Sequence, residues 1–171
     1  MADQAALVAL FKAQSLHLAL AESCTGGLVA SGLASIPGAS EVLWGSFVTY
    51  TVSAKVRMLG IEPDFIARYG AVSEETALAM ALGAKEKSGA EYGLSVTGLA
   101  GPGGDGSGLP VGTVWMGLAL PGGGTEARRF QYTGGRNDIR GAAASGAVHI
   151  LFEAASRLLT DRGGRDILIK G

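Results

Sequence analysis

Ala21-Glu22-Ser23-Cys24-Thr25-Gly26-Gly27 joins two stretches of different character. The apolar run at 16–21 reads as a strand, and 25–35 has helical spacing until Pro37-Gly38 stops it. A strand-turn-helix unit with small hydroxyl residues and glycines at the turn lifts a side chain off the strand end. It also aims the first free helix N–H groups at the same spot. Such a spot suits a bound anion, a serine nucleophile, or both. Ser23 is therefore the foremost hydroxyl for chemistry, against the plainer reading that Ser23 or Thr25 only caps the helix. Cys24 is a rival nucleophile, since a helix N-terminus acidifies a thiol. It reads equally as a small buried hydrophobe. The stretch is neither Gly-x-Ser-x-Gly nor a Walker loop.

Outward from this turn, strands and helices alternate. Helical spacing covers 3–14, with Asp3 as N-cap. A β-branched and aromatic strand covers 46–51, and short helices follow at 53–59 and 63–69, closed by Gly60 and Gly70. Ser73 caps a helix to about residue 88, with Glu74 and Glu75 in its first turn. Strands are expected at 92–97, 112–120 and 125–132, the last two as a hairpin around Pro121-Gly122-Gly123-Gly124. The longest helix covers 137–161. This order predicts a three-layer α/β/α fold with a mixed sheet, one domain over 1–162 and a tail at 163–171. In the tail, Ile167-Leu168-Ile169 reads as a short strand or a frayed end.

The composition narrows the function. A length of 171 residues suits one domain with a real core. Apolar residues make up 47%, yet no apolar run reaches the roughly 18 residues of a membrane span. The net charge of −1 gives no basic footprint for nucleic acid. The start, Met1-Ala2-Asp3-Gln4, has no basic segment of a secretory signal. A single cysteine excludes an internal disulfide and fits a reducing cytoplasm, the expected location. Two scattered histidines and one cysteine make no zinc site, and no cofactor or metal is expected. The 28 glycines cluster in loops rather than repeat.

Three further features carry candidate chemistry. Tyr50 falls at a strand end and Lys55 in the first turn of the next helix, where the dipole disfavours a cation. Lys55 is either a solvated surface lysine or a partner for a nucleophile or phosphate; as a base it needs burial or a nearby cation to lose its proton near neutral pH. The glycine-rich connection Thr97-Gly98-Leu99-Ala100-Gly101-Pro102-Gly103-Gly104-Asp105-Gly106-Ser107-Gly108 follows a buried strand. Glycines there let backbone approach a ligand and line up N–H groups, the alternative being a flexible surface loop. Arg136 reads as a clamp for phosphate or carboxylate, or as a rim arginine.

Five motifs together resemble the CinA C-terminal domain family. They are Ala21 to Gly27 as quoted above, Phe47-Val48-Thr49-Tyr50 with Ala54-Lys55, Gly70-Ala71-Val72-Ser73, Gly98-Leu99-Ala100-Gly101-Pro102-Gly103-Gly104, and Pro110-Val111-Gly112-Thr113-Val114. The resemblance spans roughly residues 5–160. It implies an oligomer in many members and, in the enzymatic ones, a nicotinamide-nucleotide amidase. That enzyme hydrolyses the carboxamide of nicotinamide mononucleotide to nicotinic acid mononucleotide and ammonia, in pyridine nucleotide salvage. Carried over residue by residue, it implies Ser23 as nucleophile, Lys55 as base and Tyr50 as helper, without a metal. Substrate contacts are expected from Cys24, Thr25, Gly26, Gly27, Thr97, Gly98, Gly101, Gly103 and Arg136. The expected partner is a small mononucleotide, with no direct nucleic acid or membrane contact. Many relatives carry a molybdopterin-binding-type domain ahead of this one, and no stretch of the sequence corresponds to it. The alternative functions are a non-catalytic nucleotide-binding module linked to competence or DNA-damage responses, and a phosphotransfer enzyme using the 98–108 loop. The missing Walker pattern counts against the latter.

Overall fold

The computed structural model describes residues 4–168, with side chains for residues 4–160. The element order is α1 (Gln4–Ala13), β1 (Leu18–Glu22), α2 (Leu28–Ala34), β2 (Leu43–Val48), α3 (Val52–Leu59), α4 (Pro63–Tyr69), α5 (Glu74–Ser88), β3 (Tyr92–Gly98), β4 (Thr113–Ala119), β5 (Thr125–Gln131) and α6 (Arg136–Leu168). The strands form one sheet in the order β2-β1-β3-β4-β5. β1 pairs in parallel with β2 and β3, whereas β3-β4 and β4-β5 are antiparallel. The sheet is thus mixed, with the expected hairpin at its β5 edge.

Alternation along the strands sorts the two helical layers. Leu18 and Leu20 of β1, with Tyr92, Leu94 and Val96 of β3, pack against α1, α2 and α6. Ala19 and Ala21 face the opposite way, toward α3, α4 and α5. On that second face small residues let α5 come very close. Ser95 Oγ donates to Ala77 O at 2.6 Å, and a Cβ at Gly93 would lie 2.1 Å from Ala81 O.

The chain leaves β1 for β2 on one side and reaches β3 on the other, so the strand order reverses at β1. Ligands of open α/β sheets bind beyond the carboxyl ends of strands at such a reversal. Ser23 follows β1 directly.

Several boundaries differ from the sequence reading. α2 begins at Leu28 rather than at residue 25, because 23–27 form a turn with Gly26 and Gly27 at φ +60° and +97°. β2 spans Leu43–Val48 rather than 46–51: Thr51 caps α3, its Oγ1 accepting from Ala54 N at 3.1 Å, so the chain has already left the sheet. α6 runs on through Gly163-Gly164 to Leu168, placing Ile167 and Leu168 in a helix and not in a strand. The Asp3 cap and Ile169 lie outside the described residues.

Candidate active site

The carboxyl ends of the three parallel strands bring the predicted chemistry together. Ser23 N donates to Val96 O at 2.9 Å and Thr49 N to Glu22 O at 2.8 Å, extending the ladders one residue past β1 and β2. These bonds fix Ser23 and Thr49 side by side. From Thr51 the chain turns into α3, and Lys55 points back under the strand ends. Its Nζ lies 3.0 Å from Ser23 Oγ and donates to Thr49 O at 2.8 Å. Lys55 is 1% exposed and Ser23 8%. Among the described residues no carboxylate pairs with Lys55. Burial therefore lowers its pKa from 10.5 to about 8, against a smaller opposing influence from Cys24. A neutral amine can spend one N–H on Thr49 O and turn its lone pair to the Ser23 hydroxyl.

Cys24 has the opposite character. Burial raises its thiol from 9.0 to about 11, although the N–H groups of Cys24 and Thr25 and the Lys55 charge stabilise the anion. The thiol stays protonated at neutral pH, a poor nucleophile beside a poised serine.

The turn itself is held from two sides. Glu22, 1% exposed, turns its carboxylate onto the start of α2. Oε2 accepts from Gly27 N at 2.9 Å and Val29 N at 3.1 Å, and Oε1 accepts from Ala30 N at 2.9 Å and from Ser46 Oγ at 3.1 Å. The helix is thus capped by a residue from the preceding strand, and neither Ser23 nor Thr25 caps it. The free helix N–H groups expected from sequence are occupied. From the other side, Arg140 of α6 donates to Cys24 O and Thr25 O. Sequence reasoning missed both Glu22 and Arg140.

A cleft of ≈ 280 Å³ opens over Ser23 and Lys55. Of the predicted site residues, Ser23, Cys24, Tyr50, Lys55, Thr97, Gly98, Gly101, Gly103 and Arg136 line it. Thr25, Gly26 and Gly27 do not: Thr25 is wholly buried, Gly26 N donates to Ser23 O, and Gly27 N belongs to Glu22. The Thr97 hydroxyl is taken structurally, donating to Ala71 O at 2.7 Å. Tyr50 is 54% exposed at the rim, where its hydroxyl accepts from Arg136 rather than meeting Ser23. Arg136 also donates from Nη1 to Gly101 O at 2.6 Å, pinning the glycine-rich connection across the mouth. Asp105 lines the cleft as well, a contact the sequence reading did not use. Among the described residues no three His, Cys, Asp or Glu side chains gather as a metal site.

The profile of the CinA C-terminal domain matches residues 2–155. The chain belongs to this family. A CinA-like protein of Myxococcus xanthus is 50% identical over 134 residues, covering 78% of this chain and 32% of that protein. A CinA-like protein of Akkermansia muciniphila is 44% identical over 149 residues, covering 87% and 36%. The chain thus spans about a third of the length of these CinA relatives. Among solved structures, the competence/damage inducible protein CihA of Agrobacterium tumefaciens superposes with a TM-score of 0.84 at 39% identity, covering 91% of this chain and 97% of that one. A CinA superfamily protein of Klebsiella pneumoniae gives 0.87 at 29% identity, covering 90% and 96%. The three-layer α/β fold is that of the CinA superfamily. No helix among the described residues is long and apolar enough to cross a membrane.

Proposed function

We propose that the cleft is a serine–lysine amidase site whose substrate is nicotinamide mononucleotide, hydrolysed to nicotinic acid mononucleotide and ammonia. The observation that carries this reading is the buried Lys55 amine 3.0 Å from Ser23 Oγ, with its pKa lowered to about 8. A surface lysine has neither property.

Neutral Lys55 accepts the Ser23 proton as Oγ attacks the carboxamide carbon. The proton route is direct, because the Tyr50 hydroxyl is engaged with Arg136. The N–H of Cys24, which lines the cleft, receives the developing oxyanion. Protonated Lys55 then gives its proton to the leaving nitrogen, which departs as ammonia and leaves an acyl ester on Ser23. Water, with Lys55 again as base, cleaves the ester to the carboxylic acid and restores the serine. No step needs a metal. Arg136 and Tyr50 at the rim supply a cation and a hydroxyl for the phosphate and ribose.

The test is ammonia release from nicotinamide mononucleotide in EDTA, wild type beside Ser23→Ala. Release by wild type alone supports the reading. A folded wild type that binds the nucleotide without releasing ammonia replaces it with a nucleotide-binding module.

A further inference from the structure

Among the described residues, three charged side chains line the cleft: buried Lys55, Arg136 at the rim, and Asp105 on the connection from β3 to β4. Asp105 is the one carboxylate among them. Neither Arg136 nor Asp105 enters an ion pair, with the other or with a third described group. Arg136 donates to Gly101 O and to the Tyr50 hydroxyl, both neutral acceptors. The cleft therefore presents one positive and one negative charge that the protein itself leaves uncompensated.

Asp105 is tied into its loop by its own carboxylate. Oδ1 accepts from Ser107 N at 3.0 Å and from the Ser107 hydroxyl. The Ser107 hydroxyl and N–H hold the carboxyl below the usual carboxylate range, so it is ionised at neutral pH. Gly103 and Gly104 precede it in the lining and put no side chain between it and a ligand.

Nicotinamide mononucleotide carries the same two charges in reverse. Its N-alkylated pyridinium ring is a cation, and its phosphate is an anion on the far side of the ribose. Bringing the carboxamide to Ser23 places the ring inside the cleft and leaves the phosphate toward the rim, where Arg136 stands. The buried Lys55 amine is neutral in its reactive form and offers the ring no counter-charge. Asp105 is the group of the lining that does.

We propose that Asp105 is a specificity-determining residue of the amidase reaction, its carboxylate selecting amides carried on a pyridinium cation over amides carried on a neutral ring. This inference rests on the amidase reading above.

The experiment measures, by calorimetry, the dissociation constants of nicotinamide mononucleotide and of its reduced form, whose dihydropyridine ring is neutral. The proteins are Ser23→Ala alone and Ser23→Ala combined with Asp105→Asn, with thermal unfolding of each. Ammonia release from nicotinamide mononucleotide by wild type is measured alongside. Asparagine keeps the acceptor oxygen of the Ser107 turn and loses only the charge. Both ligands carry the same ribose and phosphate, so the ratio of their constants reads the ring charge. An exposed ion pair is worth up to about fivefold in affinity. Asp105→Asn is expected to weaken the pyridinium form about fivefold and to leave the reduced form within about 1.5-fold. The preference of Ser23→Ala for the pyridinium form should also shrink as salt is raised, and this decides if the double variant does not fold. An equal loss for both ligands, no loss for either, or a preference that salt does not move overturns the inference. A wild type that releases no ammonia removes the amidase reading and this inference with it. An active wild type whose ring preference ignores Asp105→Asn removes the inference alone.

Discussion

Replacing Lys55 by methionine separates its cost to the fold from its role in the proposed amidase reaction. The amine titrates at about 8 in the folded chain, against 10.5 for the free group. Between these values the unfolded chain binds more protons than the folded one, so stability rises with pH across that window. Below about 8 both states are protonated and the folded state carries the whole penalty. At about 1.4 kcal/mol per pH unit this is about 3 kcal/mol at pH 7. Methionine removes that penalty and fills similar space, but it leaves Thr49 O without its donor, a loss of about 1–3 kcal/mol. The net expectation in urea unfolding at pH 7 is a Lys55→Met variant as stable as wild type, or up to about 2 kcal/mol more stable. Ammonia release should fall by about 100-fold or more, the usual loss with a general base. In wild type, the lysine is about one-tenth neutral at pH 7, so kcat/KM should climb about tenfold per pH unit below 7 and level above about 9. A variant less stable by 2 kcal/mol or more at pH 7, or a wild-type rate flat from pH 6 to 9, refutes the reasoning.

Three further outcomes are expected. Glu22→Gln sets an amide NH₂ against backbone N–H groups, and urea unfolding should show a loss of about 2–3 kcal/mol; an unchanged midpoint would mean the carboxylate is not the cap. With its thiol at about 11, Cys24 should resist iodoacetamide at pH 7 until the chain is unfolded in urea, as read by mass spectrometry, and rapid labelling of the folded protein would contradict its protonated state. Gly93→Ala forces α5 off the sheet and should lower stability by about 3 kcal/mol, whereas Gly103→Ala, with nothing within 4 Å of its new Cβ, should stay within about 0.5 kcal/mol of wild type; equal effects would contradict the packing.

Much of the frame is legible in the sequence because its signals are local. Ser73 does cap α5, accepting from Thr76 N at 3.1 Å, and Gly60 and Gly70 end their helices at positive φ. The turn after β1 marks Ser23, and a lysine in an acid-free first helical turn signals Lys55 without revealing its burial. Glu22 escapes because its cap reaches forward from a strand, where a carboxylate among apolar neighbours carries no capping pattern. Arg140 escapes because its carbonyl partners come from the opposite end of the chain. Strand order is equally nonlocal, and the Gly163-Gly164 pair misplaced the end of α6.

The two walls of the cleft differ in how much change they accept. One is the end of β3 with Ala71 and Val72 beside it, where Thr97 donates to Ala71 O and Ser95, one step back along the strand, ties β3 to α5. The other is the connection from β3 to β4, where Gly103 and Gly104 have open space on the side a Cβ would take. Side chains grafted at these two positions would narrow or recharge the mouth without moving the Ser23–Lys55 pair. The evolvability of this cleft therefore resides in one connection, while Ser23 after β1 and Lys55 on α3 are held in place by hydrogen bonds to neighbouring backbone.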